Sequence, residues 1–95
     1  MKLRICDAGR EQIVPASLEL VEHTFAPGAR INDGTEITLA EGERWLAAIA
    51  VGTAGAADEF LVSGSVGEAA PVSTRAARSE ALRRFRDFLL AAAEP

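Results

Sequence analysis

The clearest pattern of apolar and polar positions lies near the C-terminus. There Ala81, Leu82, Phe85, Phe88, Leu89 and Ala92 recur at i, i+1, i+4, i+7, i+8 and i+11. That spacing lays one apolar stripe along a helix. The helix is expected from Thr74 to about Ala92, with Ser73 or Thr74 as N-cap after Pro71 has kept the chain extended. Glu80 with Arg84 and Arg83 with Asp87 add i,i+4 pairs, and Arg75, Arg83 and Arg86 fall along one flank. Ahead of the helix, 59–66 alternates as a strand, with Phe60, Val62 and Val66 on one face and Leu61, Ser63 and Ser65 on the other. A small-residue loop over 53–58 precedes this strand, and 67–71 connects it to the helix.

Residues 35–51 admit two readings. In one, Thr35 to Ala40 is a strand with Ile37 and Leu39 on one face, introduced by an Asn32-Asp33-Gly34 turn. Glu41-Gly42 is then a hairpin tip, and Trp45 to Val51 is a central strand apolar on both faces and ended by Gly52. In the other, Thr38-Leu-Ala-Glu41 is a capping box that opens an Ala-rich helix over 39–51. Gly42 inside that helix costs about 1 kcal/mol, and Trp, Ile and Val prefer strands, which favours the hairpin. Nearer the N-terminus, Lys2 to Cys6 alternates as a strand and Asp7-Ala8-Gly9 reads as a polar turn. Residues 16–25 fit a short helix through Leu18, Val21 and Phe25, but Leu18, Leu20 and Glu22 also alternate. Either element stops at Ala26-Pro27-Gly28.

The fold class expected from these elements is α+β, in a single domain over residues 1–95. It comprises a small antiparallel β-meander, the C-terminal helix across one face, and a short N-terminal helix in one of the two readings of 16–25. Its expected core is Leu3, Ile5, Ile37, Leu39, Trp45, Ile49, Phe60, Val62, Leu82, Phe85 and Leu89. The length of 95 residues suits one domain with one modest core, and 48% apolar with 25% charged residues is the balance of a globule. A single Cys excludes an intramolecular disulfide and any multi-Cys zinc site. The longest uncharged stretch, 45–57, is too short and Gly-rich to span a bilayer, and no signal peptide is visible, so a cytoplasmic location is expected.

Charge changes the picture further. The net is −4, divided into −6 over residues 1–72 and +2 over 73–95. Nucleic-acid binding needs a basic footprint with aromatics for stacking, and most of this surface would repel a phosphate backbone. Catalytic constellations are sparse. His23 is the sole histidine and reads as a surface or boundary residue, and Cys6 reads as a buried small hydrophobe in a strand. The run 63–67 lacks the first Gly of a nucleophile elbow and the Lys of a phosphate loop. Asn32 to Glu36 offers oxygen ligands without the spacing of a calcium loop. The expectation is therefore a protein without catalytic residues, cofactor or metal.

Binding is what remains. Asp33, Glu36, Glu41, Glu43, Asp58 and Glu59 bracket the expected strands at their ends and turns. Together they form a candidate edge for a protein partner with a basic surface, where complementary charge speeds association and sets specificity. No nucleic-acid or membrane partner is expected, and the oligomeric state is expected to be monomer or homodimer.

Across roughly residues 35–92, Phe60-Leu-Val-Ser-Gly64, Val72-Ser73 and Ala81-Leu-Arg-Arg-Phe-Arg-Asp-Phe-Leu89 resemble the small α+β immunity proteins that bacteria pair with polymorphic secreted toxins. The resemblance implies a cytoplasmic protein that binds and blocks a toxin domain without catalysis of its own, and it assigns no site residues. Two other classes stay open: a structural or accessory subunit of a phage or secretion assembly, and a small inhibitor or regulator of another enzyme.

Overall fold

Six strands and two helices follow one another along the part of the chain that the computed structural model describes, residues 1–52, 59–65 and 74–93. They are β1 (Lys2–Asp7), β2 (Arg10–Pro15), α1 (Leu18–Thr24), β3 (Glu36–Glu41), β4 (Arg44–Val51), β5 (Glu59–Gly64), β6 (Thr74–Ala77) and α2 (Arg78–Ala93). The strands form one sheet in the order β2-β1-β3-β4-β5-β6, with every neighbouring pair antiparallel. Because β2 and β3 both run antiparallel to β1 between them, α1 serves as a crossover linking two parallel strands.

The fold class is the expected one: a small antiparallel sheet with a C-terminal helix across one face. Residues 35–51 form the hairpin rather than the helix, with Glu41 opposite Arg44 and a two-residue loop between them. Gly42 takes φ +61° while Glu43 stays at negative φ, the pattern of a type II′ hairpin turn. Residues 16–25 resolve as helix. Ser17 caps α1 by accepting from the Leu20 amide at 3.1 Å, and Val21 and Phe25 point into the core.

Both helices lie on the same side of the sheet. Phe25, at the end of α1, meets Phe60 of β5 edge-on at 5.4 Å between ring centroids and Phe85 of α2 at 4.8 Å. These three rings are fully buried together with Leu3, Ile37, Leu39 and Val62. Arg78, the first residue of α2, donates to the carbonyls of Ala26 and Ala29 at 2.7 Å each, holding the turn after α1 against the start of α2.

Three expectations are corrected. The C-terminal helix begins at Arg78, because Thr74–Ala77 forms the edge strand β6. Pairing with β5 and burial of Ala76 outweigh the helix propensity of this stretch, and Arg75 leaves the helix flank to bond Glu59 at 3.1 Å. The strand β2 follows the Ala8-Gly9 turn where only a turn is expected; its residues are mostly exposed, so apolar alternation is weak. Trp45 and Ile49 do not belong to the core. They share the face of β4 away from the helices, while Leu46, Ala48 and Ala50 face the core. Expectations for the loop 53–58, the connection 67–71, Val66 and the Ser73 cap lie outside the described residues.

Candidate functional site

Strand register defines the side of the sheet that neither helix covers. On it, residues aligned across neighbouring strands form rows: Pro15, Lys2, Ala40 and Trp45; then Ile13, Arg4, Thr38, Ala47 and Ser63; then Glu11, Cys6, Glu36, Ile49, Leu61 and Arg75. Ile13 is 56% exposed and Ile49 39%, while Trp45, Ala47 and Leu61 are half-buried. Among the described residues no element packs over this side, and large apolar side chains left on such a face are a mark of an interaction surface. Ion pairs fringe this face. Arg4 Nε donates to Glu11 Oε2 at 2.6 Å, and that hydrogen bond holds the guanidinium pKa above its ordinary value. Arg75 and Glu59 pair across β5 and β6 at the opposite margin.

The acidic residues singled out from sequence do not gather on one edge. Glu36 and Glu59 lie on the open face, on β3 and β5. Asp33 sits in the turn before β3, where its carboxylate accepts from the Gly52 amide at 3.0 Å and ties that turn to the end of β4. Glu41 and Glu43 lie at the far end of the β3–β4 hairpin, about 17 Å of strand from Glu36. Glu41 there pairs with the N-terminal ammonium of Met1 at 3.0 Å. Asp58 lies outside the described residues. The hairpin tip, with both carboxylates exposed, is the part of the set that the fold brings together.

A cleft of about 290 Å³ opens between α1, residues 29–32 and the ends of β1 and β3, with Ile5, Leu20, Ile31 and Ile37 in its walls and His23, Arg30 and Asp7 among its polar groups. Asp7 is committed within the protein: its two oxygens accept from Asn32 Nδ2 and Thr35 Oγ1, each at 3.2 Å. His23 is exposed, as expected from sequence. Cys6, expected to be buried, is instead a half-buried free thiol, because its strand position turns it to the face away from the helices. Among the described residues, no group of three or more His, Cys, Asp or Glu side chains is placed to hold a metal ion.

Sequence reasoning missed the open face as a unit. Ile13, Trp45, Ile49 and Leu61 are spread over three strands, and only the register shows that they share one side. The available signal was the apolar content of both faces of 45–51, which marks a strand that is either covered on both sides or presents one side to a partner. Comparison with protein-family models, with curated proteins and with solved structures finds no match to this chain. No helix among the described residues is long and apolar enough to cross a membrane.

Proposed function

We propose that this protein is a non-catalytic protein-binding module, of the kind that binds and inhibits a cognate toxin domain in the cytoplasm. The observation that carries this reading is the hairpin tip Glu41-Gly42-Glu43, which projects two exposed carboxylates from one end of a rigid sheet. An acidic projection on a chain of net charge −4 suits a partner with a basic cleft, and a toxin acting on nucleic acid needs such a cleft. Filling it with carboxylates imitates the charge of the substrate and excludes it. The Arg-bearing flank of α2 engages its own acidic neighbours: Arg83 Nε donates to Glu80 at 3.0 Å, and Arg83 approaches Asp87 at 3.8 Å.

The reading is tested by protection. Co-expression with the cognate toxin domain should restore growth to cells that the toxin alone arrests. The purified pair should associate fastest at low salt, since screening weakens steering. Reversing Glu43 to Lys should slow association markedly, while reversing Arg83 and Arg86 should do much less. Reversal of Glu41 is best measured separately, because it also removes the bond to the N-terminus. Unprotected growth, or a Glu43 reversal that binds at the wild-type rate in low salt, overturns the proposal. The assembly-subunit reading draws on a different feature, the open sheet face, and the gene neighbourhood separates it from inhibition: virion or secretion genes favour assembly, and a toxin gene favours immunity.

A further inference from the structure

The cleft between α1, residues 29–32 and the ends of β1 and β3 is unevenly supplied with hydrogen-bonding groups. Its acceptors are engaged within the chain. The Leu20 carbonyl accepts from the Thr24 hydroxyl at 2.7 Å, and the His23 carbonyl from the Ala26 amide at 3.3 Å. The Ala29 carbonyl accepts from Arg78 at 2.7 Å, and the Asn32 carbonyl from the Thr35 amide at 3.1 Å. Each oxygen of Asp7 already accepts from a side chain that lines the same cleft, Asn32 or Thr35. The cation of the lining is in the opposite condition. Arg30 is exposed and, among the described residues, belongs to no ion pair. The apolar lining comes from both layers of the fold. Ile5 and Ile37 stand opposite each other across β1 and β3, Leu20 comes from α1, and Ile31 from the segment between α1 and β3. A ligand seated here must bring an acceptor for the guanidinium and an apolar body for the walls. A cationic group would find the acceptors taken and a like charge beside it.

We infer that this cleft binds a small monocarboxylate with a compact apolar body, its carboxylate on Arg30 and its body against Ile5, Leu20 and Ile31. A guanidinium presents parallel N–H donors that match the two oxygens of a carboxylate, which a point charge does not. His23, exposed in the same lining, adds one ring N–H in its neutral form. The volume of about 290 Å³ lies at the lower end of small-molecule sites and holds roughly ten non-hydrogen atoms. For a ligand of that size a Kd of about 0.1–1 mM is expected. The cleft lies at the Thr35 end of β3 and the hairpin tip at the other, so this inference and the inhibitor reading fail separately.

The experiment is a titration of the purified full chain with hydrocinnamate to about 10 mM, well above the expected Kd, followed by backbone amide shifts in NMR. The shifts should saturate and should centre on Leu20, Arg30, Ile31 and Ile37. Hydrocinnamamide keeps the body without the charge and should bind the wild-type chain about tenfold more weakly. Arg30→Gln should weaken the carboxylate about tenfold and leave the amide unchanged. Ala29→Leu, which enlarges a side chain of the cleft lining, should weaken both probes alike. Thermal unfolding and far-UV circular dichroism establish that each variant is folded, and the comparison of the two probes on the wild-type chain needs no variant. Absence of a saturable shift overturns the inference. So do shifts centred outside the cleft, equal binding of the two probes, a carboxylate preference that survives Arg30→Gln, or an Ala29→Leu chain that binds as the wild type does.

Discussion

The two faces of β4 invert the usual relation between size and burial. Toward the helices the strand presents Leu46, Ala48 and Ala50; toward the open side it presents Trp45, Ala47 and Ile49. The larger set is the less buried one. The reason lies in what covers the inner face. Phe25, Phe60 and Phe85 fill the space between sheet and helices, and small residues on β4 let those rings sit close to the strand. At the end of the same strand the Arg44 guanidinium lies 5.7 Å from the Phe88 ring centroid, closing the inner layer with a cation over an aromatic face. The outer face has no such layer among the described residues, and Ile49 there stays 39% exposed. Burial, and not the hydrophobicity of a residue type, decides which contacts hold the fold.

The comparison is broken most directly at the ring cluster. Phe85 is 0% exposed, so Phe85→Ala should cost about 3–5 kcal/mol, measured by urea denaturation. That is a large share of the roughly 5–15 kcal/mol expected for such a domain. Unchanged unfolding would mean that α2 is not docked by its apolar stripe. Next comes the inner face of β5. A Cβ on Gly64 would lie 3.1 Å from both the Trp45 carbonyl oxygen and Leu46 Cδ1. Gly64→Ala should therefore destabilise by about 1–3 kcal/mol, since a backbone atom must yield.

A smaller effect of opposite sign is expected at the β1–β2 turn. Ala8 and Gly9 take φ +52° and +82°, the two positive values of a type I′ turn, and Ala is a poor occupant of the first. Ala8→Asn should raise the midpoint of thermal unfolding by an amount equivalent to about 1 kcal/mol. On the open face, Ile13→Thr should change stability by no more than about 0.5 kcal/mol. A larger loss would show that the outer face contributes to folding as the inner one does.

The smallest effect is electrostatic and confined to the exposed side of α2. The hydrogen bond from Arg83 holds the Glu80 carboxyl below its ordinary pKa of 4.5. The stabilisation linked to this shift is present above that pH and is lost as pH falls through the lower folded value. In Arg83→Gln, the Glu80 titration followed by carboxyl NMR should move upward.

The regions legible from sequence are those where one local rule suffices. The stripe from Ala81 to Leu89 could only be one face of a helix, and Phe60 with Val62 could only face inward together. The Asn32-Asp33-Gly34 turn was marked by its own residues. The candidate site was legible only in part, because the acidic residues were visible one by one while their positions at opposite ends of β3 depend on the hairpin. The strand β2 was hidden because Ala8-Gly9 lacks the Asn or Asp that announces its turn type, and because an edge strand needs no regular apolar alternation.

The order of side chains along the chain dictates which segments alternate, which one winds, and that one helix face and one sheet face must be buried against each other, because side-chain periodicity is a property of the local backbone. Which side of β4 that would be was left to the packing of the whole fold, since its apolar residues satisfy either choice. The fold likewise decided that Thr74–Ala77 would close the sheet rather than lengthen the helix, because the unpaired edge of β5 offers backbone hydrogen bonds that no local preference of those four residues encodes.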